Sequence, residues 1–250
     1  SGEFEAAAAT LDNNTSDLVA AVESLAGEEK AEQFAALWRD HIGFFVDYAV
    51  AVATEDADGA AQAQAALAGY TGAAGRFFEE VSGGGLPAAA VADSLTMHIT
   101  TLSAAIDDLA AGSPEAYGSL QEAAAHVVGA AAVLSKGLAT AAGVEGETDS
   151  EAAELRVGLT ALLQEHVYLA GIAVFTAYTA EGGTESEAFA AAAAELDENS
   201  VTLADAVGSL AGADKRDPFL ELWRAHIGFF VDYAVAEATG DEEGRERALE

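Results

Sequence analysis

Five histidines are the side chains of this 250-residue sequence whose type and spacing could do chemistry. Three share a local pattern, an apolar residue three positions before and a β-branched residue just after: Trp38-x-x-His41-Ile42, Leu95-x-x-His98-Ile99 and Leu163-x-x-His166-Val167. His226 repeats the surroundings of His41, and His126 is the fifth. Neutral imidazole is the commonest metal ligand and an axial ligand of haem. One chemistry open to His41, His98, His126, His166 and His226 is therefore coordination of copper or zinc, or of haem b between two imidazoles. The other is structural, a buried layer in which the imidazoles and Tyr70, Asn14 and Asn199 satisfy one another and fix helix register. Gly43, Gly69, Gly72, Gly75, Gly129 and Gly171 lie within a turn or two of these positions, where room for a porphyrin or close helix packing would each call for a small residue.

The elements that must position these residues are helices. Ala dominates the composition, and only three prolines interrupt it. Each His triplet is expected to open a helix that runs to a turn signal, at Asp56-Ala57-Asp58-Gly59, Gly112-Ser113-Pro114 or Glu181-Gly182-Gly183-Thr184. A second, Ala-rich helix follows each turn. At ~1.5 Å rise per residue, antiparallel helices bring His41 level with Tyr70, His98 with His126, and His166 with Asn199. The stripes holding His41 with Leu37, Phe44, Phe45 and Tyr48, and His166 with Leu159, Leu162, Leu169 and Ala173, place the layer inside. Asp47 and Asp232 fall off those stripes and are expected to meet solvent or Arg39 and Arg224.

A longer repeat frames the hairpins. Residues 1–65 align without a gap to 186–250, and 37 of the 65 pairs are identical, including the block from His41 to Ala51 repeated from His226 to Ala236. Asn14 and Asn199 are mates in that alignment. The predicted fold is all-α: tandem antiparallel helical bundles built from α-hairpins, about six helices in each 185-residue repeat. A Gly-bearing polar stretch, 143–150, reads as the linker. On that division 1–142 is a repeat unit lacking its first helix, and 151–250 holds the first helices of the next. Phe229, Phe230 and Tyr233 in the latter are expected to be covered, by a neighbouring copy or by further chain.

Composition narrows the partners. With 43 acidic against 10 basic residues the net charge is −33, which repels nucleic acid and anionic membranes. Such a surface suits high salt, where self-repulsion is screened. No cysteine is present, so disulfides, thiolate metal sites and Cys nucleophiles are excluded. No basic-then-apolar leader or flanked, charge-free membrane span is read, and the densest apolar run is 42–54. Leu or Trp, not Glu, stands three before most of the histidines, and Ala123 before His126, so di-iron ligation through Glu-x-x-His fails. Phosphate loops, catalytic triads and His-Glu-x-x-His patterns are missing as well, and an enzyme is not expected.

Three stretches carry a family resemblance: Leu-Leu-Gln-Glu-His-Val at 162–167, Leu-Trp-Arg-Ala-His-Ile-Gly-Phe-Phe-Val-Asp-Tyr at 222–233 and Ala-Ala-His-Val at 124–127. They resemble helical domains repeated in secreted or surface proteins of Gram-positive bacteria, domains of unassigned function of which some carry a copper-related label. The resemblance implies an exported, repeated helical module and transfers no catalytic residue. The expected function is thus an extracellular or surface structural repeat that assembles with copies of itself into an array or filament. Its alternative is a metal- or haem-binding bundle.

Overall fold

A computed structural model of the chain describes residues 2–249. It is all-α, with nine α-helices and no strand among the described residues. All three prolines sit where a missing N–H costs little: Pro87 caps a helix start, Pro114 lies in a turn, and Pro218 is in the first turn of its helix. The chain divides into two compact units, Ser1–Ser150 and Glu151–Glu250.

In the first unit α1 (Gly2–Ala26), α2 (Glu28–Ala53), α3 (Ala57–Val81), α4 (Ala88–Ala111) and α5 (Ala116–Ala141) pack in chain order, and α2 also touches α4. In the second, α6 (Glu151–Thr179), α7 (Glu187–Ala211), α8 (Arg216–Thr239) and the short α9 (Glu242–Ala248) follow the same rule, with α6 touching α8. The expected hairpins are α2 with α3, α4 with α5, and α6 with α7. Their turns form for local reasons: the Asp56 carboxylate accepts from the Gly59 N–H at 3.0 Å, Ser186 Oγ accepts from Phe189 N–H at 3.1 Å, and Gly112 takes the left-handed conformation (φ 64°) that ends α4. The His triplets do not open their helices. They lie well inside them, because the start signals, Gly27 before Glu28-Glu29 and Pro87 before an alanine run, stand two or more turns upstream.

The core of the first unit gathers Val22, Phe34, Phe77, Phe78, Leu86 and Val91. Phe34 is its centre, stacked on Trp38 at 5.3 Å and tilted against Phe77 at 6.0 Å. Gly75 lets α4 come close, since a Cβ there would stand 2.4 Å from the Ala88 carbonyl oxygen.

The 185-residue repeat has a structural counterpart, because α7 and α8 correspond to α1 and α2. The same ion pair ties both: Arg39 Nε donates to Asp12 Oδ1 at 2.8 Å, and Arg224 Nε to Asp197 Oδ1 at 2.6 Å. Asp47 and Asp232 are both exposed and meet solvent, as expected of residues off the His stripes, and the arginine alternative does not apply. They lie eight residues beyond their arginines on the same helix, about 12 Å along its axis and out of ion-pair range. What differs is the covering. In the first unit α3 and α4 lie over α2, and Phe45 is 8% exposed; its mate Phe230 is 58% exposed and Phe229 56%. Tyr233 is half-buried. The expected covering of these residues is thus not found within the described chain.

Besides the dense run at 42–54, two longer apolar segments stand out, α5 and α6, against the expectation that no membrane-length apolar span is present. Both are long and apolar enough to cross a membrane. Few of their residues are buried, Ala116 and Ala123 in α5, and His166, Leu169, Ala173 and Thr176 in α6.

Candidate functional site

In the first unit His41 of α2 is buried between aromatic rings. It stacks on Tyr70 of α3 with ring centroids 4.9 Å apart and 17° between planes, and meets Trp38 edge-on at 4.5 Å. The Nδ1–H donates to the Trp38 carbonyl at 2.6 Å, and because a carbonyl only accepts, this contact places the proton on Nδ1. Burial lowers the His41 pKa to about 4, against the raising effect of the Trp38 bond and with help from His98. The imidazole is neutral at pH 7. Burial also pushes the Tyr70 phenol up, so it stays protonated.

Phe45 links this group to the next, lying 6.1 Å from His41 and 5.8 Å from His98. His98 of α4 faces His126 of α5 at 6.4 Å. Burial, and then His126, hold the His98 pKa down, and its Nδ1 is buried with no hydrogen-bond partner. His126 is half-buried and has a partner across the hairpin, its Nε2–H donating to the Ser94 carbonyl at 2.9 Å.

The second unit builds a related group. His166 of α6 is buried against Trp223 at 4.8 Å and His226 at 6.1 Å. Opposite it on α7, Asn199 is fully buried. Its Nδ2 donates to the Leu162 carbonyl at 3.1 Å and to Glu165 Oε2 at 2.7 Å. Burial, then Glu198 and Glu165, raise the pKa of the neighbouring Glu195.

One device recurs in two hairpins. Ser94 stands four residues before His98 and Leu162 four before His166. A helical carbonyl at that position already accepts the backbone N–H of the His, and its second lone pair takes a side-chain donor from the facing helix. His126 and Asn199 are thus hooks, each fixing its helix to one carbonyl of its partner. The third hairpin uses the His41–Tyr70 stack instead.

The expected layer is only partly assembled. His41 with Tyr70, His98 with His126, and His166 with Asn199 meet as read from the sequence. Asn14 does not join: it is exposed, and among the described residues of its unit no helix packs on the α1 face that corresponds to the one α6 covers on α7. His226, mate of the buried His41, is exposed for the complementary reason, that nothing in its unit takes the places of the full-length α3 and of α4. The layer members bond to backbone carbonyls, to the Glu165 carboxylate in the case of Asn199, or stack; no hydrogen bond joins one imidazole to another among the described residues. Among those residues no three His, Asp or Glu side chains converge as a metal ion would require. Nor do glycines make room beside the imidazoles. A Cβ at Gly43, Gly69, Gly129 or Gly171 would meet open space on an exposed position, and Gly75 serves helix packing.

No family model, curated protein or solved structure matches the chain.

The buried imidazoles couple stability to pH. His41 binds a proton near pH 6.5 when unfolded and near pH 4 when folded, so its contribution is present above about pH 6.5 and is lost as pH falls toward about 4. Thermal melts of the protein and of His41→Leu are expected to differ by an amount that shifts in favour of the variant across that window. A difference that stays constant with pH would contradict the assignment of His41 as a buried neutral base.

Proposed function

We propose that the chain is a non-enzymatic structural repeat module of an extracellular or cell-surface array, assembled from copies of itself. One observation carries the reading. The same two-helix element is built twice, as α1–α2 and α7–α8, and each copy leaves bare an apolar face that the other has covered. Leu196 is 3% exposed beneath α6, and its mate Leu11 on α1 is 45% exposed; Phe45 and Phe230 show the reverse. Faces of this kind mark contact sites, since exposed apolar patches are otherwise held small. The net charge of −33 supports an environment of high ionic strength, in which like-charged copies can approach within the shortened screening length.

Ligand binding by the imidazoles is the second reading. It is favoured by the two imidazole pairs, His98 with His126 and His166 with His226, and by the buried, unpartnered Nδ1 atoms of His98 and His166. Two imidazoles fall short of a closed zinc site, so this reading would call on copper or on haem b held between two imidazoles. Metal analysis and the visible spectrum of the purified protein separate the two: stoichiometric copper or a Soret band would select this reading.

The array reading is tested by sedimentation velocity over a range of protein concentrations in molar salt. Mass is expected to grow with concentration, and to grow less in low salt. A chain that remains monomeric at every concentration and salt level would overturn it.

A further inference from the structure

We propose that the bare face of α1, centred on Leu11 and Asn14, is a docking site for an apolar helix of the α6 type, held by the same amide hook that Asn199 makes to α6. The proposal deepens the repeat reading above and rests on it.

The second unit shows what such a face does when occupied. On α7, Ala192, Leu196 and Asn199 are 0%, 3% and 0% exposed, with α6 packed over them. Their mates on α1, Ala7, Leu11 and Asn14, are all exposed. The side chains that α7 turns toward α8 behave differently: Ser200 and its mate Thr15 are both fully buried. Ala192, Leu196 and Asn199 thus differ from their mates on the side where α6 packs, while the Ser200 position is buried in both. The groove beside this face is also present twice. Leu11, Ile42 and Val46 line it between α1 and α2, and Leu196, Ile227 and Val231 line it between α7 and α8, where Ala173 of α6 forms a further wall.

Both the polar and the charged groups suit the occupant. Asn14 has the amide that, as Asn199, donates to the Leu162 carbonyl and the Glu165 carboxylate. An incoming α6-type helix offers that carbonyl and carboxylate again. On α7 the Glu165 carboxylate lies close enough to Glu195 to raise its pKa, with Glu198 acting the same way. The corresponding positions on α1 are Thr10 and Asn13, both uncharged. A helix bearing Glu165 therefore meets less like-charge repulsion on α1 than on α7.

The test adds a synthetic peptide of the α6 sequence, Glu151–Thr179, to the full ¹⁵N-labelled chain in molar salt. Saturable one-to-one binding is expected, with amide shifts concentrated from Ala7 to Leu18. Leu11→Asp should abolish these shifts, and Asn14→Ala should weaken binding roughly tenfold or more, the loss of the amide's bonds to one carbonyl and one carboxylate. Exchange of the peptide for the resident α6 would perturb α7 and would survive Leu11→Asp. A covalent version guards against a peptide that does not fold alone: a copy of residues 151–185 placed directly before residue 1 reproduces the α6-to-α7 connection. Slowed amide exchange at Leu11 and Asn14 in that extended chain, lost with Leu11→Asp, supports the proposal. Unchanged exchange there, or peptide binding indifferent to both substitutions, overturns it. Sedimentation reports separately on the array: a chain that self-associates yet ignores the helix keeps the array and loses this contact.

Discussion

The hydrogen bond from a side chain of one helix to a main-chain carbonyl of its neighbour is the constraint around which these hairpins are arranged. Helices rich in alanine slide easily, because small side chains give shallow ridges and many registers of nearly equal packing. A buried amide or imidazole removes that freedom. Left unmatched it costs about 1–3 kcal/mol, so a slip of even one residue, which takes the carbonyl at Leu162 or Ser94 out of reach, is penalised. Polar residues thus supply register where alanine supplies only closeness. The aromatic stack of His41 on Tyr70 has the same place in the α2–α3 hairpin, where Phe34, Phe77 and Phe78 already give a deeper interlock.

The second theme is that burial in this chain belongs to the neighbour and not to the residue. Asn14 and Asn199 have one identity, one repeat position and one kind of helix, yet the first is exposed and the second fully buried. His41 and His226 differ in the same way. At His41, burial holds the imidazole neutral well below its ordinary pKa. A repeat architecture makes such contrasts routine, since each helix pair can bury its apolar face only against the next.

Much of the fold was legible from residue order. The turn signals located all three hairpins, and comparable distances from each turn paired His98 with His126 and His166 with Asn199. Three things were out of reach. The hook acceptors are backbone carbonyls, which every residue carries, so nothing in Ser94 or Leu162 marks them. Helix starts were misplaced at the His triplets because the apolar pattern begins there, while Gly27 and Pro87 set the true starts further back. Asn14 and His226 were assigned inward as the repeat mates of Asn199 and His41, but a repeat states which face would be buried and not whether a partner is present. The glycines likewise read ambiguously, and only Gly75 proved to be in close contact with a facing backbone.

The central claim is that a side-chain hook on a facing carbonyl, and not the residue as such, holds the α4–α5 and α6–α7 hairpins in register, and the repeat supplies its own control. Equilibrium unfolding of Asn199→Ala and Asn14→Ala measures it directly. Asn199→Ala leaves a cavity and removes the donor to Leu162 and Glu165, and should destabilise its unit by about 1–3 kcal/mol. Asn14→Ala, the same change at the mate position, should fall within the usual surface scatter of about 0.5 kcal/mol. Equal effects at the two positions, or no loss at Asn199, would contradict the account.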